Sequence, residues 1–201
     1  MIRILLADDQ ATVRGALAAL LRLEKDMEVV AEVGRADEVL AACLEKKPDV
    51  ALLDIEMPGG DGLAAAALLR EKLPSCRVLM LTTFGRPGYL RKAMEGGAVG
   101  FLTKDTPAAQ LASAIRRAMA GERVIDPQLA IDALSEGENP LTERERDVLA
   151  AAASGSGIAE IADKLFLSQG TVRNYLSLAI QKLDAKNRFE AARIAREKGW
   201  I

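Results

Sequence analysis

The chain has 201 residues, of which 50% are hydrophobic and 28% charged, so it is long enough for one large domain or two smaller domains with their own cores. Its net charge is −2 and it contains no histidine, which excludes Ser-His-Asp and Cys-His catalytic systems and a histidine-ligated zinc site. No run approaches the roughly 18 apolar residues of a membrane span and no signal-peptide pattern is present, so we expect a cytoplasmic protein without membrane insertion, whose two cysteines are reduced.

Apolar runs and helical patterns alternate five times along residues 1–120. Each run is short and rich in Leu, Ile and Val, which is typical of a strand buried in a parallel sheet. Each is followed by apolar residues at helical spacing that end near proline or glycine. Five such units predict an α/β doubly wound five-stranded parallel sheet with strand order 2-1-3-4-5. The predicted strands are residues 2–7, 29–33, 50–53, 78–81 and 99–102.

Four of the predicted strands end in polar residues. Asp8 and Asp9 follow the first strand, and Asp54 follows the third. Thr82 follows the fourth strand and Lys104 lies just beyond the fifth. The carboxyl ends of parallel strands share one edge of the sheet, where open α/β sheets bind ligands, so these side chains should meet in one pocket. Three carboxylates so close require a cation, and oxygen ligands alone favour Mg²⁺ or Mn²⁺.

A lysine and a threonine beside such a cation suit a tetrahedral dianion, since lysine supplies a point charge for phosphate and threonine a hydrogen bond. We therefore expect Asp54 to accept a phosphoryl group, with the metal ion and Lys104 neutralising charge during the transfer. Residues 55–62, IEMPGGDG, carry glycines that permit a close approach of backbone groups. Considered singly, each of these residues is more typical of a solvated loop acid or a surface lysine.

With these motifs, residues 1–120 resemble the receiver domain of two-component response regulators. The resemblance implies that a sensor histidine kinase phosphorylates Asp54, and the chain itself has no histidine to act as donor. It further implies a metal site and a set of residues that bind the phosphoryl group and switch with it. The implied metal ligands are Asp8, Asp9, Asp54 and the backbone carbonyl of Glu56, and the implied switch residues are Thr82, Lys104 and Phe101. Phe101 is equally typical of a core aromatic on the last strand.

A linker is predicted at residues 121–139, because the segment ends in polar residues with glycine and proline. From residue 140 to residue 201 the pattern changes to short helices. Thr142 and Glu145 match the T-x-x-E capping box ahead of an apolar run. A second helix and a third helix follow, separated by a tight turn, and the third has a polar outer face. This arrangement predicts an all-α four-helix domain that contains a helix-turn-helix.

The outer face of the third helix carries the side chains that read DNA. Arginine, amide and hydroxyl groups bond to base edges, whereas lysines and a helix N-terminus bind phosphates. A polar face is also what any small helical bundle presents to water. The expected DNA-contacting residues are Gln169, Gly170, Thr171, Arg173, Asn174, Ser177 and Lys182.

The C-terminal segments resemble the LuxR-type domain of NarL/FixJ regulators. The resemblance rests on residues 141–145, 160–162, 167–168, 171–173, 182–183 and 187–188. It implies a transcription regulator rather than an enzyme, although a receiver assists its own phosphorylation and dephosphorylation. It also implies that phosphorylation promotes a homodimer, which binds double-stranded DNA sequence-specifically.

Residues 81–84, 86–89 and 170–175 further resemble a family member that regulates membrane-lipid desaturase expression, so desaturase genes are candidate targets. Two other classes of function remain open. An aspartate-nucleophile phosphatase would use similar acids, threonine and lysine, and would release phosphate from small phosphoesters. A DNA-binding protein with an inert receiver would bind DNA equally well after substitution of Asp54.

Overall fold

The structure is a computed structural model that describes residues 1–83, 87–135 and 139–201. It divides the chain into two compact units: among the described residues, the first contains residues 1–83 and 89–132, and the second contains residues 87–88 and those from Ala133 onward. Phe84, Arg86 and residues 136–138 of the predicted linker lie outside the described residues.

The first unit alternates strands and helices. Its strands are β1 (Ile2–Ala7), β2 (Met27–Val33), β3 (Val50–Asp54), β4 (Glu56–Met57), β5 (Gly60–Asp61), β6 (Arg77–Thr82), β7 (Gly100–Thr103) and β8 (Val124–Ile125). Its helices are α1 (Ala11–Leu21), α2 (Ala36–Lys46), α3 (Gly62–Lys72), α4 (Pro87–Glu95) and α5 (Ala108–Met119). A further helix, α6 (Pro127–Ser135), crosses the boundary between the units.

The main sheet is parallel, with strand order β2-β1-β3-β6-β7-β8. Its first five strands confirm the predicted doubly wound sheet and its order. The sixth strand, β8, has two residues and lies in the segment predicted as linker, where so short a strand shows no hydrophobic period. Strands β4 and β5 form a separate antiparallel hairpin directly after Asp54.

Apolar side chains fix the register of the sheet. Ile4, Leu52 and Leu79 of β1, β3 and β6 pack in one buried cluster with Leu21 of α1 and Ile115 of α5. Burying each of these side chains stabilises the fold by about 1.5–3 kcal/mol. A slip of one residue would turn each of them to the other face, so the positions of the strand ends are strongly specified.

The second unit contains the four predicted helices, α7 (Glu143–Ala153), α8 (Ile158–Leu165), α9 (Gln169–Lys182) and α10 (Arg188–Glu197). The capping box of Thr142 and Glu145 is present at the start of α7. Ser168 caps α9 by accepting a hydrogen bond from the Thr171 N–H, and Asn187 caps α10. In the ranges that the structure describes, no helix is both long enough and apolar enough to cross a bilayer.

Candidate functional site

The register of the sheet brings the polar strand ends together. Asp54 pairs with Leu81, and Thr82 pairs with Thr103, so β3, β6 and β7 end side by side. Strand β1 lies on the other side of β3, and Asp8 directly follows its last residue. A cleft of about 250 Å³ opens at this edge, lined by Asp9, Gln10, Asp54, Glu56, Thr82 and Thr83.

Lys104 joins two of the acids in this cleft. Its Nζ lies 2.8 Å from Asp54 Oδ2 and 2.7 Å from Asp8 Oδ2. All three side chains are at most 9% exposed. Burial acts to lower the pKa of Lys104, but the hydrogen bonds and charges of Asp54 and Asp8 outweigh it, and the pKa lies above its ordinary value. The lysine is therefore a firmly charged ammonium between two carboxylates.

Asp54 is held at both of its carboxylate oxygens. Oδ2 accepts from Lys104, and Oδ1 accepts from the Ile55 N–H at 2.7 Å. Burial raises the pKa of Asp54, the charge of Asp8 adds to this effect, and the contacts from Lys104 and Ile55 only partly oppose it. Burial thus disfavours the ionised form of Asp54, and a further positive charge nearby would stabilise it.

The carboxylates at this edge fit a hard cation. One oxygen from each of Asp8, Asp9 and Asp54 lies within 4.8 Å of the other two. Asp8 Oδ2 is buried and, apart from the ion pair with Lys104, has no hydrogen bond within the described parts of the chain. Asp8 Oδ1 accepts from the Gln10 N–H at 2.8 Å, which fixes the carboxylate. Such an all-oxygen donor set suits Mg²⁺.

The remaining residues predicted for this pocket occupy different depths. Thr82 is buried and lines the cleft. Glu56 lines the cleft from β4, and its carboxylate accepts from the Tyr89 hydroxyl at 3.4 Å. Phe101 is fully buried on β7 and pairs with Met80 of β6, so the structure places it in the core rather than in the cleft.

Two residues that the sequence reasoning missed hold the loops of the cleft in place. Arg14 of α1 donates from Nη1 to the backbone oxygen of Asp8. Gly62 donates from its N–H to the Ile55 oxygen at 2.9 Å, and a Cβ at Gly62 would overlap the Asp54 carbonyl oxygen. No sequence pattern points to Arg14, whereas Gly62 stood out only as part of a glycine-rich loop.

The polar face of α9 is presented to solvent. Thr171 is half-buried, and its hydroxyl shares a 2.8 Å hydrogen bond with that of Ser168. Arg173 Nη2 donates to Gln169 Oε1 at 3.4 Å, so the guanidinium already lies along this face. Five of the residues predicted to contact DNA are exposed there: Gln169, Gly170, Arg173, Asn174 and Ser177.

Lys182 has a different environment from the other predicted DNA contacts. Its Nζ lies 2.7 Å from Glu145 Oε2, and the same oxygen accepts from the Thr142 N–H at 2.7 Å. The Glu145 side chain is 3% exposed and that of Lys182 is 34% exposed. Burial acts to raise the pKa of Glu145, but the bonds from Lys182 and Thr142 outweigh it, and the pKa is lowered. Lys182 therefore ties the end of α9 to the start of α7.

Comparisons with known proteins agree with this geometry. Residues 4–116 match the response regulator receiver domain, and residues 139–195 match the luxR family of bacterial regulatory proteins. The chain is 50% identical to the uncharacterized transcriptional regulatory protein YvfU and 46% identical to the transcriptional regulatory protein DesR, both from Bacillus subtilis (strain 168). Each alignment covers 100% of both chains. The crystal structure of the response regulator ChrA in a heme-sensing two-component system is similar at 33% identity and a TM-score of 0.59, over 100% of this chain and 98% of that one.

Proposed function

Because the chain belongs to the response regulators that join a receiver domain to a LuxR-type DNA-binding domain, we propose that phosphorylation of Asp54 by a sensor histidine kinase controls its binding to DNA. Membership of this family makes the protein a transcription regulator. We assign the receiver to residues 1–120, the linker to residues 121–139 and the DNA-binding domain to residues 140–201, and we place the protein in the cytoplasm.

The observation that carries this proposal is the buried contact of Lys104 with Asp54 and Asp8. A carboxylate oxygen of Asp54 attacks phosphorus, and the bond from phosphorus to the phosphohistidine nitrogen of the kinase breaks, which leaves an acyl phosphate on Asp54. Lys104 is positioned to neutralise the negative charge of the Asp54 carboxylate before the transfer and that of the phosphoryl oxygens after it. Its ammonium needs no new desolvation, since it is already buried among carboxylates.

Asp8, Asp9, Asp54 and the carbonyl of Glu56 are the residues that would hold Mg²⁺ or Mn²⁺ in this cleft. When bound, the ion supplies positive charge that reduces the repulsion between the carboxylates and the incoming phosphoryl oxygens. The buried Asp8 Oδ2 supports this assignment, because among the described residues it is paired only with Lys104 and retains a lone pair for the ion.

In this proposal, Thr82 and Phe101 transmit the phosphorylation of Asp54 from the cleft to the rest of the receiver. The Thr82 hydroxyl lines the cleft and donates a hydrogen bond to a phosphoryl oxygen once Asp54 is modified. Phe101 lies on β7 and pairs with Met80 of β6, the strand that ends in Thr82. A shift of Thr82 therefore changes the packing around the Phe101 ring. The same pocket, with a water molecule as the attacking group, assists dephosphorylation.

Phosphorylation then promotes a homodimer. A single helix-turn-helix has too small an interface for tight specific binding, and two copies on half-sites one helical turn apart, ~34 Å, supply the affinity. The exposed face of α9, with Arg173 and Asn174, supports sequence-specific contact with double-stranded DNA. The target genes that we propose encode membrane-lipid desaturases, on the resemblance of the sequence at residues 81–84, 86–89 and 170–175 to DesR.

The test is to incubate the full chain with acetyl phosphate and Mg²⁺ and to follow intact mass, light scattering and DNA affinity. Wild type should gain one phosphoryl group, dimerise and bind DNA more tightly, and chelation of the metal should prevent all three changes. Asp54→Asn should remain unmodified. The matched control is Asp105→Asn, which removes an exposed acid next to Lys104 and should behave as wild type.

Three results would contradict the proposal in different ways. Modification of Asp54→Asn would place the phosphoryl group elsewhere. DNA affinity that does not respond to acetyl phosphate would favour an inert receiver. Sustained release of phosphate from small phosphoesters would favour an aspartate-nucleophile phosphatase. The bound sequence, recovered by selection from random DNA and located in the genome, tests the desaturase genes separately.

A further inference from the structure

Phe166 forms the turn of the helix-turn-helix in an unfavourable backbone conformation. Helix α8 ends at Leu165 and α9 begins at Gln169, so three residues connect them. Phe166 has φ 56° and ψ 44°, in the left-handed region. A residue with a Cβ is disfavoured there, and glycine usually fills this position after a helix. A phenylalanine at such a site has a conformational cost that glycine would not have.

The ring of Phe166 has almost no packing against the described residues to offset this cost. The residue is 95% exposed, the highest value among the exposed large apolar residues in the ranges that the structure describes. A single exposed apolar residue is ordinary by itself. The combination of an exposed ring with a strained backbone is not, and backbone strain of this kind clusters where a residue contacts a ligand.

The position of the ring is set by an ordered turn. Leu167 packs inward against the core of the domain, and its N–H donates to the Ala162 oxygen at 2.8 Å. Ser168 then caps α9 through the Thr171 N–H at 3.1 Å. In a helix-turn-helix the N-terminal residues of the second helix contact base edges while the first helix crosses the DNA backbone. The turn between them therefore lies at the border of the groove.

We propose that Phe166 packs its ring against the deoxyribose groups of double-stranded DNA, beside the bases that α9 contacts. This inference rests on the proposed DNA-binding function. Deoxyribose presents apolar carbon atoms between the phosphates, and an uncharged ring covers them without displacing counterions. Phe166 thus fixes how α9 enters the groove, in a way that the lysines and arginines of the domain do not.

The test uses the full chain, treated with acetyl phosphate and Mg²⁺, and a duplex that wild type has selected from random DNA. Phe166→Gly removes both the strain and the ring, so its melting temperature should rise while its DNA affinity falls. Burying half of a phenylalanine side chain corresponds to a loss of about four- to twelvefold. Phe166→Asn, which tolerates the left-handed conformation, should lose affinity to a similar extent.

Salt dependence separates a ring contact from a phosphate contact. Loss of a cation lowers the slope of log affinity against log salt by about 1, whereas loss of the ring should leave the slope unchanged. The matched control is Asp184→Gly. Asp184 is exposed and also has a positive φ of 50°, so this change relieves the same type of strain and should raise the melting temperature without weakening DNA binding.

Five results would overturn the inference. Equal affinity of wild type and Phe166→Gly excludes the contact, and a reduced salt slope in that variant indicates that its lower affinity comes from a displaced lysine or arginine instead. Equal affinity with reduced transcription by added RNA polymerase places the ring against a protein. Impaired dimerisation of the variant in light scattering places the ring between two copies of this chain. If wild type selects no duplex at all, the proposed DNA-binding function fails as well. Failure of the Phe166 contact alone would leave DNA binding by wild type intact, so the two failures are distinguishable.

Discussion

Removal of the Glu145 carboxylate should destabilise the C-terminal domain through two separate contacts. Glu145→Ala breaks the capping-box bond to the Thr142 N–H, which is worth about 1 kcal/mol. It also breaks the charged hydrogen bond from Lys182. We count that bond at only about 1 kcal/mol, because Lys182 is 34% exposed and water screens the pair. The expected loss is therefore about 2 kcal/mol.

A double-mutant cycle isolates the ion pair. Lys182→Ala should cost about 1 kcal/mol, and the double variant should lose less than the sum, with a coupling of about 1 kcal/mol. The chain has a single tryptophan, Trp200, which packs against the core of the C-terminal domain. Urea unfolding followed by its fluorescence therefore reports on this domain alone.

The pH dependence of these variants has a definite sign. The pKa of Glu145 in the folded domain lies below its ordinary value of 4.5, so the stabilisation is fully present above that pH. It is lost as the pH falls through the lower, folded pKa. The difference in stability between wild type and Glu145→Ala should thus be largest near neutral pH and shrink in acid.

A particular pair of results would refute the structural role of Lys182. If Lys182→Ala leaves the unfolding free energy unchanged and lowers the salt slope of DNA binding by about 1, the lysine contacts a phosphate and contributes nothing to the domain. An unchanged slope with reduced stability supports the ion pair instead.

Other substitutions test the loops around the cleft. Gly62→Ala should destabilise the receiver by more than ~2 kcal/mol in calorimetry, because the added Cβ overlaps a backbone carbonyl. Gly15→Ala, in α1 with nothing within 4 Å of the added Cβ, should instead stabilise it by about 0.5–1 kcal/mol, and a similar response of both would refute the packing argument. Arg14→Gln should raise the Mg²⁺ concentration for half-maximal phosphorylation severalfold, since the side chain holds the Asp8 backbone. Arg14 and Arg22 both pair with Glu32 of β2, at 4.0 Å and 2.9 Å, but only Arg14 bonds to Asp8, so Arg22→Gln should leave that concentration unchanged.

Local hydrophobic patterns were enough to predict the parallel sheet and the meeting of its polar ends. A buried strand is a short, continuous apolar run, and β1 spans Ile2–Ala7 as the run predicts. The two-residue strands β4, β5 and β8 were not predicted, because two residues carry no period and are placed by their neighbours. Strand β2 begins at Met27, two residues before its apolar run, since pairing with β1 extends it.

Long-range partners were harder to predict than strands. Lys182 lies 37 residues from Glu145, and nothing in the sequence near either residue indicates that they meet. From the sequence, the Lys182 ammonium at the end of α9 was therefore predicted to contact DNA. Arg14 and Asp8 are close in the chain, yet their contact joins a side chain to a backbone oxygen. Every residue has a backbone oxygen, so the pattern of residue types does not predict such a contact. Which charged groups pair is decided by the packed structure rather than by the local sequence.

The burial of Phe101 limits what this residue can contribute to the proposed switch. Complete burial of a phenylalanine is worth about 1.5–3 kcal/mol. A shift from 1:99 to 99:1 between two states needs ~5.5 kcal/mol of differential interaction. Repacking of Phe101 therefore supplies about half of the requirement at most, and new bonds from Thr82 and Lys104 to the phosphoryl group, together with the dimer interface, must supply the remainder. Because the free energy that dimerisation contributes grows with the logarithm of the chain concentration, the response to phosphorylation should strengthen as the protein concentration rises.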